Sequence, residues 1–102
     1  MKHFLLTYTL ASDYLDRRPA FRDEHLMLAR AAVERGELLL GGALVPAEEA
    51  VLLFAGEDAG AAEAFAASDP YVSNGLVTAW RVREWFTVVG EGAANPVKGS
   101  LG

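Results

Sequence analysis

Two hydrophobic periodicities alternate along this chain, and their order leaves few folds open. Residues 2–10 repeat every second position, with Phe4, Leu6, Tyr8 and Leu10 on one face. His3, Leu5, Thr7 and Thr9 form the other face, which predicts a first strand covered at least in part on both sides. Ala11-Ser12-Asp13 supplies cap-type residues, and Tyr14 to Arg18 suits a first helical turn. Pro19 fits the first position of a long helix that runs to about Arg35 and is ended by Gly36. Leu26, Ala29 and Val33 make its core-facing stripe, with Phe21, His25, Leu28 and Ala32 as the adjoining row and Asp23, Arg30 and Glu34 towards solvent.

A short second strand is expected over Glu37–Gly42, with Leu38 to Leu40 buried and Gly41-Gly42 letting backbone come close to another group. Past Pro46, the apolar run Ala50–Ala55 predicts a third strand antiparallel to the second. An alanine-rich helix anchored by Phe65 spans Ala59 to Ala67, and Asp69 to Gly75 is rich in turn residues. Leu76 to Val89 alternates again as a long fourth strand. Residues 90–102 have no periodicity, so a domain over 1–89 is followed by a tail, disordered or laid on a partner.

The order β-α-β-β-α-β predicts an α+β, ferredoxin-like sandwich, an antiparallel sheet with both helices on one face. The other sheet face, carrying Leu5 and Thr7, cannot stay bare. Hydrophobic residues make up 52% of only 102 residues, more than one small two-layer domain hides. A homodimer packed sheet to sheet is therefore expected.

Charge and composition exclude several functions. Fourteen acids against nine bases give a net charge of −5, and neither Arg17-Arg18 with Arg22 nor Arg81 with Arg83 amounts to a nucleic-acid surface. Cysteine is absent, which removes disulfides, zinc thiolates and thiol catalysis. No run reaches membrane-spanning length and the first residues do not form a signal sequence, so a soluble cytoplasmic protein is expected. His3 and His25 do not stand at metal-ligand spacing, Gly41-Gly42 lacks the lysine and helix of a phosphate loop, and no serine sits in a nucleophile elbow. No metal and no cofactor is expected.

What remains is a small set of groups able to handle protons or anions. His25 flanks the core-facing stripe, where an imidazole titrating near ~6.5 in the free state can exchange protons. The alternative is a half-buried ring satisfied by a backbone carbonyl. Asp69 before Pro70 has the form of a helix cap, a role compatible with a second one because a carboxylate has two oxygens. Arg22, three residues before His25, can face the same cavity, to hold an anion or to pair with an acid such as Asp69. Tyr71 and Ser73 are candidates for the same pocket wall, and Tyr8 either donates a hydrogen bond inward or is ordinary core.

Arg22-x-x-His25-Leu26, Gly36-x-Leu38 with Gly41-Gly42, and Asp69-Pro70-Tyr71 followed by Gly75-Leu76 give the chain a pattern that resembles the YciI-like (YCII-related) family, from the first strand to about Trp85. The resemblance implies a dimeric α+β barrel and a catalytic His–Asp pair facing a pocket, which maps onto His25 and Asp69. Many members carry Gly-Pro where this chain has Gly41-Gly42. The function so implied is acid–base chemistry, an isomerisation or elimination, on a small anionic or aromatic metabolite. His25 would move the proton, Asp69 orient it and Arg22 hold the negative group. The alternative from another class is a non-catalytic dimeric module that binds a small ligand.

Overall fold

The computed structural model describes residues 1–97. Strands β1 (Lys2–Leu10), β2 (Leu38–Ala43), β3 (Glu49–Gly56) and β4 (Val77–Trp85) form one antiparallel sheet in the order β2-β3-β1-β4. Helices α1 (Tyr14–Glu34), α2 (Gly60–Ser68) and the short α3 (Pro70–Ser73) complete it. This is the α+β, ferredoxin-like arrangement that the order of periodicities predicts.

The alternation of β1 sets the layers. Phe4, Leu6, Tyr8 and Leu10 are buried, together with Ala50, Leu52 and Phe54 of β3, against Ala32 of α1 and Phe65 and Ala66 of α2. Phe54 and Phe65 meet at 5.5 Å between ring centres. The opposite face carries Leu5 and Thr7, paired with Leu53 and Val51 on one side and Arg83 and Arg81 on the other.

Helix α1 differs from expectation at its start and ends as its pattern predicts. It starts at Tyr14, not Pro19, and Pro19 lies inside it. Tyr14 is buried edge-on against Tyr71, 5.7 Å between ring centres, and this anchorage of the first turn outweighs the one backbone bond that Pro19 cannot donate. At the other end, Gly36 takes φ +76° while its N–H donates to Val33 O and that of Glu37 to Ala32 O, the paired closure that favours glycine past a helix.

Strand β2 is an edge strand with a register shift between Leu38 and Leu40. Only Leu38 is buried; Leu39 and Leu40 are exposed, so the expected three-leucine core segment contributes one residue. The extra residue at the shift turns Leu40 to the open face, paired with Leu53. The expected turn after α2 contains α3, capped by Asp69. β4 ends at Trp85, short of Val89.

The tail is not loose as far as it is described. Asn95 N–H donates to Thr87 O and Val97 N–H to Val88 O, each at 2.9 Å, while the Thr87 hydroxyl accepts from Ala94 N–H and bonds His3 Nδ1 at 2.8 Å. Residues 90–97 thus fold back on their own chain, and the remainder of the expected tail lies outside the described residues. Among those residues no helix is long and apolar enough to cross a membrane.

Candidate functional site

Asp69 is the fixed point of the site, because three elements aim donors at it. It is the extended residue before Pro70, and its Oδ1 accepts from Tyr71 N–H at 3.0 Å as the cap of α3. Tyr8 of β1 donates its hydroxyl to Oδ2 at 2.7 Å. His25 of α1 approaches with Nδ1 2.9 Å from Oδ1 and 3.0 Å from Oδ2. The carboxylate is 0% exposed, so without these donors its burial would be strongly unfavourable.

The partner sets the imidazole's tautomer. A carboxylate accepts, so Nδ1 carries the proton and Nε2 is left with its lone pair in the neutral ring. Nε2 has no protein partner, yet Arg18 Nε is the single buried side-chain nitrogen or oxygen without one among the described residues. Nε2 is therefore open to solvent, in keeping with a His25 side chain 15% exposed. Tyr71 lies parallel to the ring, 3.9 Å between centres and 7° from coplanar, and Phe65 meets it edge-on at 6.1 Å. The ring is thus held at its edge, on one face and on one nitrogen.

The two tyrosines are kept in their hydroxyl form. Burial, and then the neighbouring Asp69 charge with its hydrogen bond, push the Tyr8 phenol far up from its usual value. Tyr71 is pushed up to about 12, first by burial and then by Tyr14, against the opposing pull of Arg22 and Arg18. Tyr8 therefore stays a donor to Asp69 wherever the protein is folded.

His25 opens on a cavity of about 420 Å³ between α1 and the β2 side of the sheet. One wall is the α1 surface carrying Arg18, Arg22, Leu26 and Arg30; the other is the β2 run from Leu38 to Ala43. Tyr8 and Tyr71 close its inner end. Gly41 is part of the second wall, where an added Cβ would sit 3.2 Å from Leu52 Cγ, so bare backbone here keeps the wall flat.

Most of the residues singled out in the sequence come together: Tyr8, His25 and Tyr71 each bond Asp69, His25 stacks on Tyr71, and Arg22 lines the cavity. Arg22 forms no ion pair with Asp69, whose oxygens are already taken. Ser73 does not join them. It is exposed on the far side of the α3 turn, with its hydroxyl donating to Pro70 O at 3.4 Å.

Two assignments on α1 are reversed. Leu26 and Val33 line the cavity instead of the core, with Val33 exposed; Ala29 borders the cavity and also packs against the core, and Arg30 lines the cavity instead of facing bulk solvent. The sheet lies under the neighbouring row, Phe21, Leu28 and Ala32, because β2 leaves the space beside it unfilled. Sequence reasoning passed over Arg18, Arg30 and Tyr14, although Arg18, Arg22, Leu26 and Arg30 share one i, i+4 row. Among the described residues, no three His, Asp or Glu side chains gather as a metal site.

Three comparisons bear on this geometry. A family profile described as a YCII-related domain matches residues 1–86, which include both partners of the His25–Asp69 pair. No curated protein sequence matches the chain. Among solved structures, similarity extends to 5-chloro-2-hydroxyhydroquinone dehydrochlorinase from Burkholderia phenoliruptrix in complex with 2,5-dihydroxybenzoquinone (TM-score 0.69, 19% identity, 83% of this chain and 94% of that one). A NIPSNAP family protein from Agrobacterium tumefaciens is similar with a TM-score of 0.57 at 12% identity, over 90% of this chain and 95% of that one. A putative antibiotic biosynthesis monooxygenase from Deinococcus radiodurans follows with a TM-score of 0.51 at 16% identity, over 97% and 100%. At such identities the likeness is one of fold.

Proposed function

The chain belongs to the YCII-related domain family, and from that premise we propose that it is a small enzyme of His/Asp acid–base chemistry, acting by isomerisation or elimination on a small anionic or aromatic metabolite. One observation carries the reading: a fully buried carboxylate holds Nδ1 of an imidazole whose Nε2 opens on a cavity. In the neutral ring Nε2 accepts a proton from carbon or oxygen of the substrate. Asp69 then faces the imidazolium and stabilises it, and the same nitrogen returns the proton at another atom or to a leaving group. Tyr8 and Tyr71 keep Asp69 and the ring in place, and Arg22 attracts the substrate's negative group.

The similar dehydrochlorinase binds a hydroxylated quinone, which suggests a first probe. With 2,5-dihydroxybenzoquinone in D₂O, the chain is expected to bind it saturably and to exchange its ring C–H for deuterium faster than buffer does, followed by proton NMR. Faster exchange that depends on His25 supports proton transfer. Saturable binding with no exchange beyond the buffer rate would replace this reading with that of a non-catalytic ligand-binding module.

A homodimer through the open sheet face belongs to the same proposal. Leu40, 72% exposed, and Trp85 stand there with the half-buried Leu5, Val51 and Leu53, an apolar surface that water disfavours. Sedimentation is expected to give a dimer, and Leu53→Arg, which places a charge mid-face, a monomer that remains folded. A wild-type chain that sediments as a monomer at tens of micromolar would remove the dimer.

A further inference from the structure

We propose that the ligand of the His25 cavity is an organic dianion with a flat apolar body, one negative end held by Arg18 and Arg22 and the other by Arg30. This rests on the cavity being the substrate site of His25 and adds the charge and shape of what enters it.

The distribution of charge supports it. The chain has net charge −5, yet three of its nine lysines and arginines line this one cavity and none of its fourteen aspartates and glutamates does. Among the described residues, none of the three guanidiniums has a carboxylate within ion-pair distance. Like charges gathered without a counter-charge repel one another and attract an anion. Asp69 offers no relief, since it is shut behind His25 and Tyr8.

Arg18 adds a second and independent sign. Its guanidinium sits 5.7 Å from the centre of the Tyr14 ring, and its Nε is buried without a hydrogen-bond acceptor. A buried donor left unpaired is unfavourable, and a bound oxyanion would supply the missing acceptor. The guanidinium's fork of N–H donors suits a two-oxygen anion.

The arrangement along α1 gives the shape. At about 1.5 Å rise per residue, Arg22 stands about 4–5 Å from His25 towards the helix start and Arg30 about 7–8 Å beyond it. Two anionic ends gripped on opposite sides would centre the ligand's body on the imidazole. Across the cavity the wall is Leu38 to Ala43, uncharged and with bare backbone at Gly41 and Gly42, a surface for the flat apolar part. A monoanion would leave at least one of the two cationic ends without a counter-charge.

The test uses the intact chain and two ring compounds that differ by one carboxylate, terephthalate and benzoate, titrated calorimetrically at low and at physiological salt. Terephthalate is expected to bind about tenfold tighter or better, an advantage of the size that one further charge-assisted contact supplies. Arg30→Gln and Arg18→Gln should each shrink that advantage, by weakening terephthalate more than benzoate. Arg83→Gln, the same loss of charge on the open sheet face, should leave it intact. Equal affinities, no saturable binding of terephthalate, or an advantage lost equally in Arg83→Gln would overturn the proposal. None of those outcomes touches the acid–base reading, which stands or falls on His25-dependent exchange.

Discussion

Asp69→Ala is expected to lower folding stability by about 3–5 kcal/mol, since each buried donor left without its acceptor costs about 1–3 kcal/mol. Three donors lose their acceptor together: the Tyr8 hydroxyl, the Tyr71 N–H and the His25 Nδ1–H. Tyr8 and Tyr71 are both buried, so water does not readily replace the lost carboxylate. Asp69→Asn separates shape from charge. Its carbonyl oxygen can still serve Tyr71 and His25 while its amide nitrogen donates to the Tyr8 oxygen, so most of the stability should return. The negative charge facing an imidazolium does not return, and turnover should stay low. Urea unfolding reads the first effect as a shift in midpoint at constant slope. A loss below about 1 kcal/mol in Asp69→Ala would mean that the three bonds do not hold the site together.

His25→Ala is expected to do the reverse, lowering His25-dependent proton transfer by about 10²–10⁴-fold, the usual contribution of a positioned acid–base group. Stability should change far less than in Asp69→Ala, because Asp69 keeps Tyr8 and the Tyr71 N–H as donors. The truncation also leaves a ring-shaped gap against Tyr71, where the imidazole stacked at 3.9 Å. Added imidazole should enter that gap and restore part of the rate, whereas an aliphatic amine of similar basicity should not. Deuterium exchange into the bound quinone, measured with and without imidazole, checks both points. Unchanged exchange in His25→Ala would take the imidazole out of the chemistry.

The contrast between these two variants follows from how the pair is built. Asp69 belongs to the fold first: it caps α3, anchors β1 through Tyr8 and ties α1 to both. His25 is held by the fold but holds little of it, being stacked and bonded on one side and open on the other. A carboxylate with structural donors on both oxygens keeps the same place whether the cavity is empty or filled, which is the preorganisation a proton-transfer site needs.

Local sequence chemistry specified more than the elements alone. The period-two face of β1, the glycine stop at Gly36 and the Asp69-Pro70 cap all depend on neighbouring residues, and each is found as the local pattern predicts. The pairing of His25 with Asp69 crosses 44 residues, and the family pattern pointed to it where spacing could not. The identity of the carboxylate's third partner, Tyr8, followed from neither, because a buried tyrosine on a strand is equally consistent with plain core.

What only the tertiary structure decided lies along α1 and β2. Helical periodicity ranks the faces of α1 by hydrophobicity, but it cannot tell an apolar face packed on a sheet from one bordering an empty space. For that reason periodicity places Leu26 and Val33 in the core and Arg30 in solvent, where the structure has all three on the cavity. The space exists because β2 is an edge strand with a one-residue shift, a non-local pairing that turns Leu39 and Leu40 out of the core. Pro19 shows the same limit in small. A helix start inferred from its missing N–H gave way to the burial of Tyr14, five residues earlier, against a ring 57 positions along the chain from it. The chain's local chemistry thus determined which strands and long helices form, and long-range packing decided some of their limits, which of their faces meet and which are left to bind something else.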